Sequence, residues 1–393
     1  MLSIKIARVR FLQQTNLRTD YQHSVAISLL RGLAALQVAA AHVRAQFYPG
    51  LSTIADPSAG YQALAFFTGF AHQAVVIFFL LSGWLVGGSL MNKLNEPHAM
   101  LSYAIDRITR LWIVLAPAFV ASLLIGVAIG ALSPPGGGDG IPEEYTLATF
   151  VGNLFGLQDL AVPRYGGNFA LWSLTYETWY YVLFPLAVLM FARQGGWAKA
   201  SAAVAVTVIA WHLNAAILLY FTLWLLGAGC SRIQVDASPM AKWTLAGVFV
   251  LVATWFRLKG SNDILVEESY LQDLLYSLLF LALLCSLQSK VGPADRLVLR
   301  LGRIGSFFAE FSFSLYVIHV PLIFLVRHIN KSQLGIERLD PASLSDFGLY
   351  TSIVVLIVLL AWLFHLPFEA QTYRVRRRLK EWMLPRAQPQ NIA

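Results

Sequence analysis

Apolar residues run along this chain in stretches of roughly 17 to 25, separated by short polar or breaker-rich segments, the spacing of helices that cross a bilayer. Such stretches lie near 24–43, 63–90, 111–132, 172–192, 198–212, 215–229, 243–256, 271–288, 307–326 and 349–368. The expected fold is therefore all-α: a polytopic integral membrane protein of about ten transmembrane helices. The fifth to seventh stretches are short, and the two that flank Trp211, His212, Leu213 and Asn214 could form one bent hairpin, which would change the count by one or two. The longest loop, 133–171, opens on Ser133-Pro134-Pro135-Gly136-Gly137-Gly138, a run that cannot continue a helix. No segment outside the spans is long enough to fold separately and no internal repeat is visible. The expected organisation is one membrane domain over 24–370, a basic segment 1–23 before it and a basic tail 371–393 after it.

Composition agrees: 57% hydrophobic and only 13% charged residues exclude a soluble domain of 393 residues. The net charge of +8 would suggest nucleic acid in a soluble protein. Here its distribution matters more, because Lys and Arg collect in cytoplasmic loops during insertion. With the N-terminus inside, cytoplasmic segments hold 21 of the 29 Lys and Arg residues, and external segments hold seven. Both termini are thus expected in the cytoplasm of a multi-pass protein of the cell's inner (plasma) membrane, with membrane lipid and no nucleic acid among its partners. Ala39-Ala40-Ala41 resembles a signal cleavage site, but Arg31 inside the apolar run argues for a retained anchor. The segment Ile4 to Tyr21 alternates basic and apolar residues and reads either as a strip on the inner membrane surface or as a solvated tail. Two cysteines, Cys230 and Cys285, both in or beside apolar stretches, allow neither a disulfide framework nor a cysteine zinc site, and no metal is expected.

Ionisable residues inside spans cost about 2.5 to 3.5 kcal/mol at a helix centre, which makes each a functional candidate. Arg31 and His42 in the first span share a helical face, roughly 16 Å apart along the axis, the arginine toward the cytoplasm and the histidine toward the outside. Snorkelling of Arg31 and an interfacial His42 are the bland alternative. Ser82-Gly83, near the inner end of the second span, reads as a close-packing point. At the start of the third, Arg107 and Arg110 are neighbours at i and i+3 whose planar forks could grip a phosphate, positive-inside anchoring being the alternative. The fourth span begins Trp172-Ser173-Leu174-Thr175-Tyr176-Glu177. It sets Ser173, Glu177 and Tyr180 or Tyr181 on one face, with an interfacial aromatic belt explaining the rings but not the carboxylate. The ninth aligns Ser312, Tyr316 and His319 at i, i+4 and i+7, where a histidine satisfied by a neighbouring hydroxyl is the alternative. His72, His212 and His365 carry no comparable pattern. The charges sort by side: a cationic inner group, and an outer group of His42, Ser173, Glu177 and His319.

These residues, in this order, resemble the acyltransferase-3 family of membrane O-acyltransferases over about residues 24–378. The resemblance is carried by Arg31 with ten residues before His42, Phe78-Phe79-Leu80-Leu81-Ser82-Gly83, Arg107-x-x-Arg110, Trp172-Ser173-Leu174 with Glu177 and Tyr180, Ser314-Leu315-Tyr316 with His319 and Pro321, and Phe368-Glu369 before the basic tail. It implies ten core helices and transfer of an acyl group, by default acetyl, from cytosolic acyl-CoA to a hydroxyl of an extracytoplasmic or lipid-linked saccharide. It also implies a catalytic role for His42 and donor binding by Arg107 and Arg110. Acyl-CoA is then a co-substrate, with no permanently bound cofactor. Trp84 departs from the family's frequent Phe. The 393 residues hold no fused extracytoplasmic hydrolase-like domain, so a second transfer step would need a separate extracytoplasmic partner enzyme; a homo-oligomer is equally open.

The chemistry fits the residues without the name. A histidine, with an unperturbed pKa near 6.5, suits a base that takes a proton from an alcohol at neutral pH. Glu177 is expected to hold its tautomer as the carboxylate does in hydrolytic triads. Arg31, Arg107 and Arg110 would face the phosphates of the donor, and Trp172, Ser173, Tyr180, Tyr316 and His319 would meet the acceptor or support the site. The rival class is a proton-coupled transporter or flippase for a sugar or small anion, with Arg31, Glu177 and the histidines along its path. The paired broken helices of such repeats are not evident. A histidine-based enzyme of the other multi-span O-acyltransferase superfamily leaves the ordered motifs unexplained.

Overall fold

The computed structural model describes residues 8–132, 141–191, 195–259, 264–292 and 295–384, and among these helix predominates with almost no sheet. The chain opens on strand β1 (Arg8–Phe11) and enters helix α1 (Gln22–Phe47). The second apolar stretch divides into α2 (Ala59–Phe67), α3 (Ala71–Ser82), a π turn over Gly83–Gly87, and α4 (Gly88–Lys93). Then follow α5 (Ala99–Ala128), the short α6 (Leu147–Leu154) in the long loop, α7 (Trp172–Phe191), α8 (Gly196–His212) and α9 (Ala215–Cys230). Strand β2 (Ile233–Asp236) leads to α10 (Pro239–Lys259), α11 (Tyr270–Ser286), α12 (Arg296–Glu310), α13 (Ser312–Leu334), α14 (Leu344–His365) and α15 (Thr372–Met383).

Among the described residues, eight helical stretches are long and apolar enough to cross a membrane. The fifth and sixth expected spans form α8 and α9, of 17 and 16 residues. At 1.5 Å per residue each is about 25 Å long, just under the hydrocarbon thickness of about 30 Å. They are two helices rather than one bent one, since Asn214 caps the backbone N–H of Ile217 at 3.0 Å and restarts the chain. The α10 helix exposes Trp243, Val250, Leu251, Trp255 and Leu258, surface that water would not tolerate and lipid does.

Three expectations are revised. From Arg8 on, the N-terminal segment is not a free tail: β1 pairs antiparallel with β2, Arg8 opposite Asp236 and Phe11 opposite Ile233, and Arg10 salt-bridges Asp236. The alternation of basic and apolar residues over Arg8–Phe11 is the period of a strand. The ninth span does not begin at 307; α12 ends at Glu310 and the chain bends at Phe311 before α13. That boundary arises because α12 packs its small residues on α1, where Gly305 sits against the Leu29 backbone and Gly32 against Phe308. Finally, α5 begins at Ala99 and ends at Ala128, so Arg107 and Arg110 lie inside the helix rather than at its start. The breaker run at 133–138 lies outside the described residues.

Both ends of the described chain lie on one face of the bundle. Thr15 and Asn92 exchange two hydrogen bonds of 2.8 Å, Thr15 meets Ser231 at 2.7 Å, and the His23 N–H donates to the Leu287 carbonyl. The C-terminal helix α15 joins them there through Lys380 and Asp106 of α5, 2.6 Å apart. The opposite face is tied by the Leu339 N–H on the Phe47 carbonyl, Ser58 on the Pro341 carbonyl, and Arg257 on the Ala65 carbonyl. The charge count anticipated this division of the loops.

Candidate active site

A cavity of about 290 Å³ opens between α1, α3, α5, α7, α13 and α15. Its walls carry Arg31, Arg107, Arg110 and Arg376 together with Ser82, Ser173, Glu177 and Tyr316. Phe78, Phe79, Leu174 and Phe313 supply the apolar lining.

Close approach of α3 and α9 shapes one wall. A side chain at Gly83 would overlap the Trp224 carbonyl, and one at Gly227 would overlap the Leu80 carbonyl, so small residues let the backbones touch. The π turn beside them re-aims the end of α3, as such turns often do at functional sites. Ser82 then accepts from the Trp224 indole N–H at 3.1 Å and donates to Glu177 Oε1 at 3.3 Å. The same carboxylate oxygen accepts a short hydrogen bond from Tyr181 one turn along α7. Glu177 is therefore held facing the cavity by Ser82 and Tyr181. Tyr180 points elsewhere and donates to the Ile217 carbonyl at 3.0 Å, and Trp172 stacks edge-on to Tyr176 at 5.5 Å without lining the cavity.

The cationic end is graded. Arg110 donates to Glu369 Oε1 at 2.9 Å, while Glu369 Oε2 accepts from the Ser314 backbone N–H and hydroxyl at 2.9 and 2.8 Å. Glu369 is thus satisfied on both oxygens and neutralises Arg110. The Arg107 guanidinium lies over the rings of Tyr181 and Tyr103, 5.5 and 5.8 Å from their centroids, and its buried Nε has no hydrogen-bond partner. Arg31 makes only long contacts, 3.4 Å to Ser312 Oγ and 3.5 Å to the Ala309 carbonyl. Two of these arginines therefore present lightly committed donors to the cavity.

At the far end, Ser173 and Tyr316 share a hydrogen bond of 2.6 Å, and Tyr316 also reaches the Ala170 carbonyl at 3.0 Å. One turn along α13, His319 is fully buried and its Nδ1 lies 2.8 Å from the Tyr316 carbonyl and 3.1 Å from that of Leu315. Carbonyls only accept, so Nδ1 carries the proton and Nε2 is free to accept. His319 Nε2 sits 2.8 Å from His42 Nδ1, the two rings nearly parallel at 13° with centroids 5.1 Å apart. In the uncharged pair His42 Nδ1–H must donate to it, which leaves the lone pair on His42 Nε2. That atom has no hydrogen-bond partner among the described residues, and Phe169 from the long loop stands edge-on to the ring at 4.9 Å.

The structure thus brings Arg31, Arg107, Arg110, Ser173, Glu177 and Tyr316 to one cavity and His42 with His319 to a pair beyond it. It does not bring Glu177 to His42: the orienting partner expected of the carboxylate is supplied by His319. Sequence reasoning also missed Glu369 and Arg376 as parts of the site, although Glu369 stood in a motif that preceded the basic tail. A second buried polar cluster escaped it altogether: His72 contacts both oxygens of Asp273, 2.9 and 2.8 Å away, and Tyr220 donates to the same carboxylate at 2.5 Å. It ties α3, α9 and α11 together and does not line the cavity.

The bundle thus holds a cationic cavity between its helices and a paired imidazole beyond that cavity's far end. The acyltransferase-3 family, described as an acyltransferase domain, matches residues 24–366, and the chain belongs to that family. No curated protein and no solved structure matches it.

Proposed function

We propose that this membrane acyltransferase moves an acyl group, by default acetyl, from cytosolic acyl-CoA to a hydroxyl of an extracytoplasmic or lipid-linked saccharide in the plasma membrane, with His42 as general base. The carrying observation is the hydrogen-bond chain from the Tyr316 carbonyl through His319 to His42, which leaves His42 Nε2 unprotonated and unpartnered. His42 Nε2 takes the proton of the acceptor hydroxyl as its oxygen attacks the thioester carbonyl. The new C–O bond forms, the C–S bond breaks, and the proton passes to the departing CoA thiolate. His319 Nε2 accepts from the resulting imidazolium and holds it in place, a role that carboxylates play in hydrolytic triads.

The donor enters from the face that carries the cytoplasmic charge, its phosphates against Arg107 and Arg31 and its pantetheine arm among Phe78, Phe79 and Leu174. The Ser173–Tyr316 pair stands between the cavity and the histidines, and the thioester passes it to reach His42. Purified protein supplied with acyl-labelled CoA and a glycan or glycolipid acceptor tests this reading. Label should move to the acceptor as an alkali-labile ester; counterflow of unmodified sugar in vesicles, without acylation, would overturn it in favour of transport.

A further inference from the structure

The matched acyltransferase domain ends at residue 366, yet the cavity wall includes Arg376, ten residues beyond it. Arg376 sits on α15, which folds back under the bundle and is held to α5 by Asp106. Lys380 Nζ lies 2.6 Å and Arg376 Nε 3.3 Å from the same Asp106 oxygen. Arg376 Nε and that oxygen are buried, but their geometry makes no directed hydrogen bond, so the contact is a charge pairing without full satisfaction. The cavity wall and the ion pairs attached to it hold five cations, Arg31, Arg107, Arg110, Arg376 and Lys380, against three carboxylates, Asp106, Glu177 and Glu369. An excess of two positive charges remains in a partly buried space, which an anionic ligand would neutralise.

We propose that α15 completes the donor site, with Arg376 a phosphate ligand contributed from outside the matched domain and Asp106 the resident anion that Arg376 and Lys380 exchange for a donor phosphate. The inference rests on the reading of the donor as a CoA thioester. The geometry favours it: Glu369 in the turn Glu369–Gln371 roots α15 against Arg110 and Ser314, so the helix is fixed at its base while its cations stay at the mouth. Exchange of Asp106 for phosphate then needs movement of side chains alone. The shared chemistry is an anionic phosphate group, which the monoester and diphosphate of a free nucleotide and the phosphodiester of an anionic lipid headgroup could both supply.

The test measures binding of radiolabelled CoA to the full chain in nanodiscs of zwitterionic lipid and in others containing phosphatidylglycerol. In zwitterionic discs Arg376→Ala is expected to weaken CoA binding roughly tenfold, the loss of one charge-assisted contact. Arg376→Lys should fall between, and Asp106→Asn should tighten binding by removing the competitor. Arg377→Ala, whose arginine lies at the surface 3.8 Å from Glu381, should bind as the wild type does. Wild-type protein that binds no CoA would sink the donor reading and this inference with it. Wild-type binding matched by folded Arg376→Ala and Arg376→Lys would overturn the inference alone. A headgroup as the true ligand would show in the same way, by unchanged CoA affinity in zwitterionic discs with loss of phosphatidylglycerol retention.

Discussion

His42 and His319 stand 277 positions apart in sequence and meet at 2.8 Å, and the case for a base rests on that meeting. His42→Ala should lower kcat by about a hundredfold or more with CoA binding intact, since base catalysis contributes about 10² to 10⁴; near-normal turnover at normal expression would leave His42 as an interfacial cap. His319→Ala leaves the His42 Nδ1–H without its acceptor and should lower kcat less, with donor KM unchanged. The two arginines separate in a different way. Arg110→Ala strips Glu369 of its counter-charge inside the bundle and should lower the yield of folded protein, because an uncompensated buried charge costs about 3 to 5 kcal/mol. Arg107→Ala removes no ion pair and should fold normally while raising the donor KM about tenfold or more. Equal expression of the two variants would contradict the pairing. Part of the cavity lining was legible because helical periodicity puts Ser173 with Glu177 and Ser312 with Tyr316 on common faces, and Arg31 on the face that leads to His42. Which helices adjoin was not legible, so the partner of His42 was assigned to Glu177 on chemistry when packing gives His319.

The spans were readable as elements because lipid demands long apolar runs with internally satisfied backbones, whatever the neighbours. What escaped the reading is what depends on contact: the strand pair β1–β2, whose two halves lie more than 200 residues apart, and the bend at Phe311, where α12 leaves α13 to follow α1. The glycines of the α3–α9 crossing show the same distinction. Ser82-Gly83 was read as a packing point, and the structure supplies its partner, Trp224 on α9, with Gly227 reciprocating against Leu80. Gly227→Val should force these backbones apart and abolish recovery of monodisperse protein in detergent. Gly229→Val, two residues on and facing open space, should be recovered like the wild type. Similar behaviour of the two on size-exclusion chromatography would mean that the crossing does not depend on close backbone approach.

At the scale of the whole molecule, the proposed reaction separates donor and acceptor chemistry by sides, and the orientation of the bundle decides which side is which. The contacts put β1, the turn after α4, the end of α9, the loop after α11 and α15 on one face. Insertion rules assign the face richer in Lys and Arg to the cytoplasm, and the sequence segments on the side of the two termini together hold 21 of the 29 basic residues. The cavity with Arg107, Arg110 and Arg376 opens toward that face, while Phe169 and the loop that carries it cover His42 from the other. Reporters that fluoresce only in the cytoplasm should therefore be active when fused to either end of the chain. One inserted at Asp56, in the turn between α1 and α2, should be silent, and a reporter active only outside should reverse the pattern. Ends on opposite sides would require an odd number of crossings, contradict the shared face of β1 and α15, and remove the ground for a cytosolic donor. Ends together on the outside would keep the fold and invert the chemistry, putting the arginine cavity where no acyl-CoA is available.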